Sequence, residues 1–153
     1  MIKPIPGIEI YGDLSCRDKK CPKEAAEQMT FVNRVRKEFP DTHGRTLFHA
    51  KNERKLIKGQ FQSITKDKAM GMVTGCVDIH DHGNPSFCME LKRKDLTLSS
   101  ISDEQINYLL AAKKAGAFVC IALGREAAWE AFNDRRKLND ENKRNNTECL
   151  SNA

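Results

Sequence analysis

Two short runs of alternating apolar and polar residues, Cys76 to His82 and Ser86 to Lys92, flank the turn tripeptide Gly83-Asn84-Pro85. This pattern predicts an antiparallel hairpin, and the hairpin limits what the rest of the chain can build. With the three turn residues as the loop, His82 pairs with Ser86 and Asp78 falls opposite Glu90. Alternation places Asp78, His80 and His82 on one face of the first strand, with Val77 and Ile79 on the other. In the second strand Phe87, Met89 and Leu91 share a face, while Ser86, Cys88, Glu90 and Lys92 share its opposite. Two carboxylates and an ammonium therefore converge on one polar face, a grouping that suits a divalent metal.

A chain of 153 residues is expected to form one domain, long enough for a sheet covered by helices. The 26 Lys and Arg against 21 Asp and Glu give a formal charge of +5, which permits a polyanionic partner without demanding one. No apolar run approaches the roughly 18 residues that a membrane span needs, and Met1-Ile2-Lys3-Pro4 does not open a secretory signal. No membrane association and a cytoplasmic location are expected. The six cysteines are scattered, and Cys76, Cys88 and Cys120 fall in expected strands, so they read as reduced thiols in or near the core.

From the N-terminus, residues 1–21 form an extended lead-in, rich in Pro, Gly and charge. Cys21-Pro22 introduces a helix from about Lys23 to Phe39, which Pro40 stops. Phe31, Val32, Val35 and Phe39 form its apolar stripe. Glu24 precedes Phe31 and Val35 by whole turns and points along that stripe, whereas Glu27 sits roughly 60° further round, toward solvent. Glu24 is thus the better carboxylate for the sheet, with Glu27 in reserve.

Thr46 to His49 reads as a short strand, and Leu56 to Lys68 as a segment containing a helix. The glycines of Ala69–Gly75 allow special backbone angles or the close approach of another backbone. Ser102 or Asp103 caps a helix through Lys114 that carries Ile106, Leu109 and Leu110 and stops at Gly116. Ala117 to Leu123 is almost wholly apolar and suits a strand buried on both faces. Arg125 to about Leu138 forms the last helix, and 139–153 a polar, frayed tail. This order predicts an α/β domain over 22–138 with helices flanking a central mixed sheet.

Gly75-x-x-Asp78 followed by Glu90-x-Lys92 resembles the PD-(D/E)XK nuclease superfamily, and the surroundings resemble its VRR-NUC branch. They include Glu24-x-x-x-Gln28, His49-x-x-Asn52-Glu53-x-Lys55, Gly71-Met72-x-x-Gly75 and Ser102-x-x-Gln105. Ala115-Gly116-Ala117-Phe118-Val119 and Glu126-Ala127-Ala128 follow, so the resemblance runs from about Pro22 to Phe132. One departure is Val77, where that family usually has proline.

The resemblance implies a restriction-endonuclease-like core and Mg²⁺- or Mn²⁺-dependent hydrolysis of DNA. Asp78 and Glu90 are its implied metal ligands, joined by the Leu91 carbonyl, with Glu24 holding a water or a second ion. Lys92 would orient or help deprotonate the attacking water, and Gln105 would position water or phosphate. Small standalone members of that branch are often phage-encoded and linked to branched DNA such as Holliday junctions, which a homodimer would suit. Arg54, Lys55, Arg93 and Lys94 are candidates for contacts to backbone phosphates.

Other chemistries fit these residues less well. A structural zinc is disfavoured because Cys16-x4-Cys21 lacks a second pair at zinc-finger spacing. A nucleophilic cysteine has no local setting to activate it. The competing class is a non-catalytic nucleic-acid-binding protein that keeps a nuclease-like fold.

Overall fold

The apolar run at Phe118–Leu123 is a strand with hydrogen-bonded neighbours on both sides and helices over both faces. The computed structural model describes residues 4–50 and 61–151. In chain order its elements are β1 (Glu9–Tyr11), α1 (Glu24–Glu38), α2 (His43–Thr46), β2 (Phe48–His49), α3 (Phe61–Ala69), β3 (Ile79–Asp81), β4 (Phe87–Lys92), α4 (Asp103–Lys114), β5 (Phe118–Leu123) and α5 (Arg125–Ser151). The sheet order is β1-β5-β4-β3-β2, so β4 is its central strand. β1, β5 and β4 run parallel, and β3 and β2 continue antiparallel. The architecture is α/β, a five-stranded mixed sheet flanked by helices.

Strict alternation along β4 and β5 feeds two separate cores. Phe87, Met89, Leu91, Cys120 and Ala122 pack with Phe31 and Val35 of α1 and Phe132 of α5. Cys88, Val119, Ile121 and Leu123 pack with Leu109 of α4 and Leu96. Both sheet faces are thus dry, and truncating a fully buried side chain such as Phe132 to Ala would cost about 3–5 kcal/mol. No helix among the described residues is long and apolar enough to cross a membrane.

The hairpin has the expected register: Ile79 pairs with Met89, His80 with Cys88 and Asp81 with Phe87. One step beyond that ladder sets Asp78 opposite Glu90. Regular pairing begins only at Ile79, however, and Asp78 stands at a bend. Val77, expected on the same face as Ile79, joins the α4 core instead, while Ile79 joins the α1 and α5 core. The pleat is broken upstream because Gly75 (φ 76°) runs against the start of α4. A Cβ there would lie 2.5 Å from the Glu104 carbonyl carbon. The face expected to be polar is also covered, leaving Glu90 0% and Lys92 6% exposed.

Other expectations need correction. Thr46 closes α2 rather than opening a strand, which is confined to Phe48 and His49. Thr46 is turned inward, its hydroxyl donating to Asp81 Oδ1 at 2.5 Å. Leu110 is 38% exposed, off the buried stripe that Leu109 occupies. Lys51–Lys55 and the first part of the Leu56–Lys68 segment lie outside the described residues.

Two segments expected to lie outside the 22–138 domain contribute to this unit. Glu9, Ile10 and Tyr11 of the lead-in pair with Cys120, Ile121 and Ala122, and Ile8 and Tyr11 are buried. The helix expected to end near Leu138 continues to Ser151. Polar composition there marks a solvated helix face, and two of its polar residues are anchors. Buried Asn139 accepts the Asn84 amide at 2.8 Å, and Asn142 donates to the Asn84 carbonyl at 2.9 Å. Fully buried Arg135 fastens the same hairpin loop, donating to Asp81 Oδ2 at 2.9 Å, to the Pro85 carbonyl at 2.8 Å and to the His82 carbonyl. A buried charge needs partners of this kind, because desolvation alone would make it costly.

Candidate active site

Three elements meet at the open end of the hairpin. Glu24 begins α1, Asp78 occupies the bend before β3, and Glu90 lies in β4. A carboxylate oxygen from each lies within 4.8 Å of the other two. Glu24 and Asp78 border a cavity of about 510 Å³ that Gln28, His49, Gly75 and Gln105 also line. Lys92, two residues beyond Glu90 and on the same face, places Nζ 2.6 Å from Glu90 Oε1 and 3.6 Å from Glu24 Oε1.

The surrounding backbone and side chains hold these groups in place. The Asp78 amide donates to Glu90 Oε2 at 3.3 Å, and the Leu91 amide donates to Asp78 Oδ2 at 3.3 Å. Within a strand, the amide and carbonyl of one residue leave on the same side. The Leu91 carbonyl therefore faces the edge where Asp78 sits. Ser102 caps α4 in a capping box with Gln105. The same Gln105 donates Nε2 to Glu90 Oε1 at 2.5 Å. His49, which the sequence offered only as one position in a longer motif, shares a hydrogen bond of 3.0 Å between Nδ1 and the Asp78 carbonyl. A carbonyl only accepts, so this proton sits on Nδ1.

Burial and the Asp78 charge push the Glu90 carboxyl up to about 7, even though Lys92 and the Asp78 amide favour its ionised form. For Lys92 burial acts downward, but Glu90, Glu24 and Asp78 together outweigh it and raise its pKa. A crowded carboxylate set with one ammonium gains from a further cation. All its donors are hard oxygens, the chemistry that suits Mg²⁺ or Mn²⁺.

Glu27 does not face solvent: it is 3% exposed. Its Oε2 accepts the Arg125 amide at 3.1 Å, at the N-terminus of α5. The helical wheel of α1 carries no sign of that neighbour. Arg93 uses Nη2 and Nε on the carbonyls of Cys21 and Pro22, at 2.6 and 3.2 Å. Lys94 is exposed beside Gly124. Arg54 and Lys55 lie outside the described residues. His80 turns away from the carboxylates, toward Cys76 (3.3 Å) and Cys88 (3.5 Å), and burial lowers its pKa.

No protein-family profile matches the sequence, and no curated protein matches it. A solved VRR_NUC domain protein does align with the structure, with a TM-score of 0.59 and 17% identity, over 74% of this chain and 88% of that one. The fold is VRR-NUC-like. Within this VRR-NUC-like fold, the carboxylates and Lys92 are gathered where the bend before β3 meets β4.

Proposed function

We propose that the protein is a Mg²⁺- or Mn²⁺-dependent DNA endonuclease that hydrolyses phosphodiester bonds and favours branched substrates such as Holliday junctions. The observation that carries this reading is the convergence of Glu24, Asp78 and Glu90 with the Lys92 ammonium on a VRR-NUC-like fold. Asp78, Glu90, Glu24 and the Leu91 carbonyl would hold the ion. When bound, it would neutralise phosphate charge and favour ionisation of the attacking water.

The chain's own groups supply the rest. Lys92 is held between two carboxylates and orients the water or neutralises charge gathering on the phosphoryl oxygens. Gln105 fixes the Glu90 oxygen that also meets Lys92, and His49 and the Leu91 amide hold Asp78 in place. Lys94, Arg54 and Lys55 are assigned to the DNA backbone, whereas Arg93, expected there too, spends its guanidinium on the Cys21 and Pro22 carbonyls. A homodimer would bring two sites to two strands related by a two-fold axis, in the host cytoplasm if phage-encoded.

The test is cleavage of a four-way junction, a flap and a linear duplex with Mn²⁺, by wild type and Lys92→Ala. Equal cutting of all three substrates removes the junction preference. Undiminished cutting by the variant removes the site assignment.

A further inference from the structure

The loop between β1 and α1 carries Arg17, Lys19, Lys20 and Lys23 against Asp13 and Asp18. Both aspartates are engaged in shaping turns. Asp13 accepts from the Ser15 amide and hydroxyl at 2.8 and 2.6 Å, and Asp18 accepts from the Lys20 amide at 2.9 Å. Arg17 folds its guanidinium onto the carbonyls of Leu14 and Cys16. Lys19, Lys20 and Lys23 are exposed, and among the described residues their ammonium groups have no hydrogen-bond or ion-pair partner. Both aspartates are exposed as well, but each is already engaged by its own turn, and four basic residues against two acidic ones leave the loop with a net positive charge.

The loop is also fastened beside the catalytic groups. Cys21 is 4% exposed and anchors it to the body of the protein. The Arg93 guanidinium grips the carbonyls of Cys21 and Pro22. Arg93 directly follows Lys92, and Lys23 directly precedes Glu24. One end of the fastening thus adjoins Lys92 directly, and the other, Pro22, stands one residue short of Glu24.

We infer that Lys19, Lys20 and Lys23 form a phosphate-binding rail for the DNA backbone along the lip of the active site, held in place by Arg93. This rests on the nuclease reading above. It gives Arg93 a positioning role, with the ordering cost of the loop met before DNA arrives. The rail reads no bases, since ammonium-to-phosphate contacts fix position and register rather than sequence.

The experiment is DNA binding measured by fluorescence anisotropy between 50 and 200 mM salt, without divalent ion so that no strand is cut. Wild type is compared with the triple variant Lys19→Ala/Lys20→Ala/Lys23→Ala, the matching Lys→Arg triple, Arg93→Lys, and a control, Lys143→Ala/Arg144→Ala, on α5. Each phosphate left without its ammonium should flatten the plot of log affinity against log salt by about 0.9, so the slope of the alanine triple should drop by nearly 3. The arginine triple should keep the wild-type slope. Arg93→Lys keeps the charge without the two-carbonyl grip, and its slope should flatten part of the way. If wild type binds but the alanine triple retains its slope, or flattens no more per charge than the control, the rail is wrong and the nuclease reading stands. A wild-type slope for Arg93→Lys removes the latch. If wild type does not bind DNA, both readings fall.

Discussion

Gln105 ties the start of α4 to Glu90: its Nε2 donates to Glu90 Oε1 at 2.5 Å while its Oε1 accepts the Ser102 amide at 3.0 Å. One side chain thus completes a helix cap and orients a buried carboxylate. Gln105→Ala should lose about 1 kcal/mol of stability, the usual scale for a helix cap. Gln105→Glu can still accept the Ser102 amide, but sets a fresh negative charge against Glu90. In urea denaturation without metal, its stability should therefore fall more steeply from pH 5 to 8 than that of wild type. Matching pH profiles would mean the side chain does not reach Glu90.

Among the described residues, Lys92 is the one ammonium bonded to a fully buried carboxylate in the cluster. Lys92→Ala leaves Glu90 beside Asp78 without that partner. The metal-free variant should lose roughly 3 kcal/mol, the scale for breaking a buried pair. Added Mn²⁺ should restore more stability to it than to wild type. Cleavage should fall by on the order of 10²-fold or more. Thermal denaturation with and without Mn²⁺ and single-turnover cleavage report these outcomes.

The Glu90 carboxyl, raised to about 7, gives a pH signature. The group binds its proton more tightly when folded, so from about pH 4.5 to 7 the metal-free protein should lose stability as pH rises. Lys92, raised as well, contributes stability throughout that window and loses it only above the ordinary lysine range. Subtracting the profile of Glu90→Gln isolates the Glu90 component. Mn²⁺ must displace this proton, so affinity should climb through pH 7 with proton release, read by calorimetry in buffers of different ionisation enthalpy.

Glu24 and Glu27 separate cleanly. Glu24→Gln should weaken Mn²⁺ binding while leaving the fold intact. Glu27→Gln should leave Mn²⁺ affinity unchanged. Glu27→Ala should cost about 1–2 kcal/mol, because the α5 N-terminus loses its acceptor. A drop in Mn²⁺ affinity for Glu27→Gln would reverse the two roles.

These residues also mark how far the sequence could be read. The placement of Asp78 opposite Glu90 was legible because turn chemistry and period-two alternation agree across Gly83-Asn84-Pro85. The buried strand at Phe118–Leu123 and the Ser102 cap were equally local signals. What escaped reading depended on distant partners. Val77 crosses to the other core because Gly75 meets α4, which alternation does not register. Glu27 is buried by the start of α5, which the α1 wheel does not contain. Asn139 belongs to a polar stretch by composition and is an anchor only through Asn84, and Glu9–Tyr11 is a strand only because β5 offers it an edge.

The central place of β4 also sets the order in which the molecule can come apart. A strand flanked by β3 and β5 and covered on both faces opens only when most of the domain opens, whereas peripheral loops exchange through small local excursions. Amide hydrogens of Cys88 to Lys92 should therefore exchange with solvent at the rate of global unfolding, and those of the 12–22 loop orders of magnitude faster. The groups proposed for chemistry ride on the last part of the molecule to let go, and those proposed to meet DNA on one of the first.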